Sequence, residues 1–269
     1  VKALSNNWPG EDPRIFSRLY YDRLFQIEDS HWWSIGMREI EGSILRAYLP
    51  DRQLDILDAG SGTGVMLTWL ERLSRGGKLC GIDLAPDAIA YCKTRGHTQL
   101  GLGSVTELPF AEASFDLIHS GDVLQHLPPD SGPRRALSEA WRVLRPSGFL
   151  FVRTNSRPGR SKICSAQYQH FDRARVNRLM RAAGFTPIVS SYVNCLPSVV
   201  GEAKSLLRRA RKSEQHGDQG LAIKLYPPHL SWLNRFMLSE VRCESFILNR
   251  IGVRLPFGHT VVCLARREP

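Results

Sequence analysis

The sequence predicts an α/β protein built on a doubly wound, seven-stranded, mostly parallel sheet, with helices before it and a helical cap insertion near its carboxyl end. Three observations carry that expectation. Short apolar runs alternate with helix-length amphipathic segments from about residue 51 to 194, the pattern of successive βαβ units. Ile56-Leu57-Asp58-Ala59-Gly60-Ser61-Gly62-Thr63-Gly64 reads as a buried strand end, a glycine turn and a helix start. Polar residues suited to a ligand (the glycine turn, Asp83, Ser104 and the run Ser120, Gly121, Asp122) all fall at strand carboxyl ends, where such sheets bind ligands.

The elements follow in order. Residues 1–13 read as a loose polar arm, and 14–25 as a short helix with Ile15, Leu19 and Leu24 on its apolar side. The adjacent Trp32 and Trp33 either cap a core or line a cleft. Residues 36–48 form a helix ended by Pro50. Strands are expected at 53–58, 78–83, 100–103, 114–120, 149–154, 186–194 and 259–265, with helices at 65–74, 86–94, 134–144 and 172–183. Val199, Ala203, Leu206, Leu207 and Ala210 share one helical face. Leu230, Leu233, Met237, Val241, Leu248 and Ile251 make a second apolar stripe. The expected division is a helical arm at 1–50, a ligand-binding core at 51–194 and 257–269, and a helical cap at 195–256.

Composition narrows the function. With 269 residues and 42% hydrophobic content the chain can fill a sizeable core. A net charge of +10 favours an anionic partner, whether nucleic acid, a phosphorylated substrate or a membrane surface, or simply marks a soluble enzyme with a basic face. The basic residues are spread out rather than interleaved with aromatics, so nucleic acid is not expected. Arg208, Arg209, Arg211 and Lys212 beside the apolar stripes suggest at most a weak membrane-surface contact. The six cysteines show no Cys-x-x-Cys spacing, so neither a metal site nor a disulfide framework is expected. Reduced thiols point to the cytoplasm. No apolar run reaches membrane-spanning length. Oligomeric state is not readable.

The turn itself restricts the ligand. A dinucleotide fingerprint needs Gly-x-Gly-x-x-Gly, but both possible frames end on Val65 or Leu67 instead of glycine. Asp58 beside the turn suits an ammonium group. Asp83, at the end of the next strand, has two carboxylate oxygens for the two hydroxyls of a ribose, or else caps the helix opened by Pro86.

Beyond the turn, the blocks Gly81-Ile82-Asp83, Leu108-Pro109-Phe110, Ser114-Phe115-Asp116, Asp122-Val123-Leu124-Gln125-His126 and Arg142-Val143-Leu144-Arg145-Pro146-Ser147-Gly148 resemble, in that order, the class I S-adenosylmethionine-dependent methyltransferases of small molecules (type 11/12). Glu28-Asp29-Ser30-His31-Trp32-Trp33 with Gly36 and Arg38, the Gln169-His170-Phe171 region, Ala183-Gly184-Phe185 and Leu255-Pro256-Phe257-Gly258 resemble one bacterial subgroup. The resemblance spans roughly residues 20–266. It implies a Rossmann-like fold, S-adenosylmethionine as cofactor and S-adenosylhomocysteine as product. The acceptor it implies is small, sugar-linked or lipid-linked, and methylated on O, N or C. By resemblance, Asp58, Gly60, Ser61, Gly62 and Gly64 hold the cofactor's amino-acid tail, with Arg38 as a candidate for its carboxylate. Asp83 holds the ribose, Leu84 packs on adenine, Ser104 and Val105 reach the adenine edge, and Ser120 and Gly121 lie under the sulfonium. Candidate bases are His170, which is preferred, His126 and His31. Two positions depart from the family: Ser104 and Gln125 each stand where an acid is usual. A fold kept only as a ligand-binding module is the competing reading.

Overall fold

The computed structural model describes residues 16–129, 131–156, 169–199 and 231–268. Helix α1 (Arg18–Ile27) and helix α2 (Trp32–Tyr48) precede the sheet. Then follow β1 (Ile56–Ala59), α3 (Val65–Ser74), β2 (Leu79–Asp83), α4 (Pro86–Thr94), β3 (Leu100–Leu102) and β4 (Phe115–Gly121). The chain continues through α5 (Ser131–Val143), β5 (Leu144–Asn155), α6 (Arg173–Ala182), β6 (Phe185–Val193), α7 (Ser231–Phe246) and β7 (Thr260–Arg267). The seven strands stand in the order β3-β2-β1-β4-β5-β7-β6. Strands β1 to β5 pair in parallel, and β7 runs antiparallel to both neighbours. The expected sheet is therefore present, with the last strand inserted between the two before it.

Alternate residues of each central strand serve opposite faces. Leu57, Ile118, Leu150 and Val261 pack against Ala136, Leu137 and Ala140 of α5 and Val176 and Met180 of α6. Ile56, Leu117, Phe151 and Val262 pack against Met37, Ile40, Ile44 and Leu45 of α2, Leu70 of α3 and Val241 of α7. Both faces are covered, which is why these strands read as continuous apolar runs.

Helix α2 begins four residues earlier than its periodicity predicts. His31 is its N-cap: the backbone is extended, and Nδ1 accepts from the Trp33 N–H at 3.2 Å. The Trp32 N–H donates to Asn234 Oδ1 of α7 at 2.9 Å. The first turn is thus completed by a residue far along the chain, which periodicity does not register. Strand β5 is longer than expected because Leu144 already pairs with Phe115 before a register shift. The loop after β3 is held by α5, where Arg142 donates to the carbonyls of Leu108 and Phe110 at 3.0 and 2.8 Å. This accounts for the Leu108-Pro109-Phe110 block structurally.

Helix α7 lies along α2. Gly36 permits the contact, since a Cβ there would sit 2.6 Å from Val241 Cγ1. Val241 and Leu248 of the apolar stripe are buried, but Ile251 is exposed, so the stripe does not continue to its predicted end. Leu230, the stripe at 203–210 and the basic run Arg208, Arg209, Arg211 and Lys212 lie outside the described residues. Among the described residues no helix is long and apolar enough to cross a membrane, and no group of metal-ligating side chains converges. Cys80, Cys92, Cys195, Cys243 and Cys263 are free thiols.

Candidate active site

The strand–turn–helix unit at β1–α3 sets the site. Gly60 (φ 91°) and Gly62 (φ 53°) both adopt left-handed backbone, which side chains with a Cβ resist. At Gly60 a Cβ would lie 2.2 Å from Val123 Cγ2, whereas at Gly62 nothing lies within 4 Å. One glycine therefore admits a neighbouring loop, and the other borders open space. The N–H groups of Gly60 and Ser61 both donate to the Ile82 carbonyl, at 2.9 and 2.8 Å, binding the turn to β2.

Asp83 closes the turn from the end of β2. Its Oδ2 accepts from the Gly62 N–H at 2.8 Å and its Oδ1 from the Ala85 N–H at 3.0 Å. Burial nevertheless raises its pKa, against the pull of those bonds. The capping and ligand readings of Asp83 therefore coexist: each oxygen spends one lone pair on backbone and keeps another. Leu84 follows, 73% exposed, an apolar side chain left at the strand end. Ser120 donates to the Ala59 carbonyl at 3.1 Å, joining the ends of β4 and β1.

A buried charge chain runs beneath this edge. His119 of β4 stands opposite Asp58 of β1 in the parallel register. Its Nδ1 meets Asp58 Oδ1 at 2.7 Å and its Nε2 meets Glu41 Oε2 of α2 at 2.9 Å. Arg153 of β5 bonds the other oxygen of Glu41 and clasps Asp122 Oδ2 through Nε and Nη2 at 2.9 and 2.6 Å. Burial alone would lower the His119 pKa, but Asp58 and Glu41 override it and push it up to about 9. Burial would raise Glu41, but Arg153 and His119 hold it below its usual range. Three carboxylates face one guanidinium and one imidazolium, so the chain carries one negative charge in excess. Asp58 Oδ2 and Asp122 Oδ1 are buried without a hydrogen-bond partner.

The amino-terminal helices are tied onto the same edge. Glu28 accepts from the Thr63 hydroxyl and from Arg95 Nη2 at 2.7 Å, while Arg95 Nε donates to the Thr63 carbonyl at 3.0 Å. Arg95 also holds Asp29 at 2.9 Å and lies 4.6 Å over the Phe25 ring. Asp22 accepts from the Tyr91 hydroxyl. Tyr21 is buried, and burial together with the nearby Asp83 charge raises its pKa.

The predicted site residues divide accordingly. Asp58, Gly60, Ser61, Gly62, Gly64, Asp83, Leu84, Ser120 and Gly121 gather at one sheet edge. Arg38 lies near it, donating to the Glu28 carbonyl at 3.0 Å, and feels the charges of Asp29, Glu28 and Glu41. Ser104 engages its own turn, accepting from the Thr106 N–H at 3.2 Å with the Thr106 hydroxyl 2.8 Å away. Val105 packs toward the core. Gln125 is buried, and its Oε1 accepts from the Thr154 hydroxyl and the Asn155 N–H, each at 2.9 Å. It ties the turn after β4 to the end of β5, and an amide oxygen suits those donors as well as a carboxylate would. Of the three histidines, His31 has a capping role. His126 lies 5.1 Å from the Phe16 ring, and burial lowers its pKa against the charge of Asp122. His170 precedes α6, with its carbonyl accepting from Arg175 at 3.0 Å. His119, Glu41 and Arg153 were missed from sequence. The available signal was a histidine inside an otherwise apolar strand.

These residues fit a ligand carrying a net positive charge and a ribose. A buried, unpartnered carboxylate oxygen lies beside the turn, the charge chain has one negative charge in excess, and the space above Gly62 is open. Comparison with known proteins agrees. The profile of the methyltransferase domain family matches residues 57–152. A protein of Encephalitozoon cuniculi named as a methyltransferase is 30% identical over 161 residues, 58% of this chain and 72% of its own length. One of Mycolicibacterium smegmatis, named as an S-adenosylmethionine-dependent methyltransferase, is 29% identical over 137 residues, 49% of this chain. The chain spans about half the length of that relative, 51%. Among solved structures, Burkholderia thailandensis 1,6-didemethyltoxoflavin-N1-methyltransferase, with its namesake compound and S-adenosylhomocysteine bound, superposes with a TM-score of 0.55 at 21% identity. That match covers 94% of this chain and 87% of the other. Sheet order and glycine turn together define a Rossmann-like protein of the methyltransferase arrangement. The chain belongs to the class I S-adenosylmethionine-dependent methyltransferases, and S-adenosylmethionine is the cofactor of that family.

Proposed function

We propose that this chain transfers a methyl group from S-adenosylmethionine to an O, N or C atom of a small-molecule acceptor, sugar- or lipid-linked acceptors included. The observation that carries the reading is the unpartnered Asp58 oxygen beside a glycine turn whose central N–H is held by Asp83. Asp58 and the N–H groups of the turn would hold the amino-acid tail, with Arg38 near its carboxylate. Asp83 would hold the ribose. Leu84 offers an apolar surface for adenine, and Ser104 and Val105 border its edge. When bound, the cofactor supplies a methyl group already activated by a positively charged sulfur. The chain's own part is to orient the acceptor, exclude water and, where the acceptor requires it, take a proton. Where a base is needed, His170, His126 and His31 are the candidates. The Glu28–Trp33 segment supports assignment to the bacterial subgroup with the His-Trp-Trp signature, and the free thiols support a cytoplasmic setting.

Asp83→Ala is the direct test. Losing hydrogen bonds to a charged group costs about 1.5–3 kcal/mol each, so calorimetric affinity for S-adenosylhomocysteine should fall roughly a hundredfold. Affinity equal to wild type would remove the ribose assignment. The competing reading, a ligand-binding module without catalysis, draws on Ser104 being spent on Thr106. It predicts cofactor binding with no cofactor consumption across an acceptor panel.

A weak contact with an anionic membrane surface belongs to the same proposal. Helix α7 leaves Trp232, Phe236 and Phe246 on one side, 61%, 54% and 57% exposed, and the whole chain is basic. Co-sedimentation with phosphatidylserine vesicles should be measurable at low salt and lost at high salt. Absence of low-salt binding removes this partner.

A further inference from the structure

Asp122 is a charged residue at the β4 carboxyl end that none of the proposed cofactor contacts uses. Its Oδ2 is taken twice by Arg153, at 2.9 and 2.6 Å, which fixes the carboxylate in place. Its Oδ1 is buried and unpartnered. Its backbone is left-handed, φ 59°, a conformation non-glycine residues keep only where their surroundings enforce it. The next residue, Val123, fills the space that Gly60 leaves without a side chain. Asp122 therefore stands directly against the cofactor turn, one position beyond Gly121. Its charge reaches Tyr20 of α1 and His126, and Phe16 lies against the His126 ring. Asp122 is thus a fixed, half-satisfied carboxylate beside the turn, with Tyr20 within reach of its charge and the Phe16–His126 ring pair close by.

Resting on the methyltransferase reading, we propose that Asp122 recognises the acceptor. Its Oδ1 accepts a hydrogen bond from the N–H or O–H group that is to be methylated, so the site selects amines and hydroxyl compounds and repels carboxylates. A carboxylate oxygen offers only lone pairs, so it satisfies itself on a donor. An acceptor bearing its own negative charge meets like charge at the same point. The buried setting strengthens both effects, because screening by solvent is reduced there.

The test uses wild type and Asp122→Asn. Asparagine keeps the shape and tolerates left-handed backbone, but it removes the charge and presents an amide. Methyl transfer from labelled S-adenosylmethionine is measured against skeleton-matched probes: benzylamine and other arylalkyl amines, benzyl alcohol and phenols, and benzoate and phenylacetate. Calorimetry with S-adenosylhomocysteine runs alongside. Wild type should favour amines or hydroxyl compounds over carboxylates by at least tenfold. Asp122→Asn should lower that preferred transfer by roughly tenfold to a hundredfold and narrow the discrimination, with S-adenosylhomocysteine affinity unchanged within about threefold. Equal transfer to carboxylates by wild type would overturn the proposal, as would an unaltered preference in the variant or no transfer to any amine or hydroxyl probe. A parallel loss of S-adenosylhomocysteine affinity would make Asp122 a cofactor contact instead. Failure of wild type to bind S-adenosylhomocysteine at all would defeat the underlying methyltransferase reading, a separate outcome.

Discussion

Glu41→Ala is expected to lower the stability of the fold by about 3–5 kcal/mol. Glu41 is fully buried and holds both His119 and Arg153. Removing one member of a buried ion pair strands the others without water, at a cost of about 3–5 kcal/mol. That is a large share of the roughly 5–15 kcal/mol by which a domain is stable. Urea unfolding should show the midpoint falling steeply, with Glu41→Gln intermediate because it keeps the shape and one acceptor. The same chain sets a pH dependence. His119 is raised from its ordinary 6.5 to about 9, so its stabilising contribution is complete below pH 6.5 and is lost as pH rises through about 9. The size is on the order of 3 kcal/mol. Glu41 is shifted the other way. Its contribution is complete above its ordinary value and is lost as pH falls through its lowered folded value. Stability should therefore decline on the alkaline side between pH 6.5 and 9, and His119→Gln should flatten that limb. An alanine variant as stable as wild type would show that the chain of charges contributes nothing net.

The second large effect separates two glycines of one turn. Gly60→Ala meets left-handed backbone, costing about 1–2 kcal/mol, and places a Cβ 2.2 Å from Val123. A β-branched side chain has little rotamer freedom with which to yield, so overpacking adds about 1–3 kcal/mol. Gly62→Ala carries only the backbone cost, because nothing lies within 4 Å of its Cβ. Gly60→Ala should lower the thermal midpoint markedly. Gly62→Ala should lower it little but still lose cofactor affinity, by tenfold or more, if the open space its methyl group enters is the proposed cofactor site. Equal effects of the two on both measurements would mean the open space above Gly62 is not where the cofactor sits.

Much of the fold was legible because its signals are local. The glycine turn, the strand-terminal Asp83 and the alternation of apolar runs lie within short windows, and they were enough to predict seven strands and the edge they present. The site's electrostatics were not legible for the opposite reason. His119 reads as one polar residue in an apolar strand, and its two partners stand 61 and 78 positions away. Glu41 reads as the polar side of a helix, although that side is the buried one. His31 attracted a chemical role because a histidine beside two tryptophans is conspicuous, yet its ring finishes a helix end. Gln125 reads as a lost charge, whereas it ties the turn after β4 to β5 through neutral hydrogen bonds. For His119, Glu41 and Gln125 the deciding contacts are tertiary, and spacing along the chain carries no trace of them.

The tether from Glu28 to Thr63 and Arg95 bears on how this architecture can be divided. The stretch matching the family profile, 57–152, looks like a portable cassette, but its cradle is finished by side chains supplied from outside it. Glu28 and Glu41 come from upstream, and Arg153 comes from the first position past its end. Excising that stretch, or grafting it onto another scaffold, would leave Thr63, His119 and Asp122 facing vacancies. The smallest piece able to behave autonomously must carry its own leading helices.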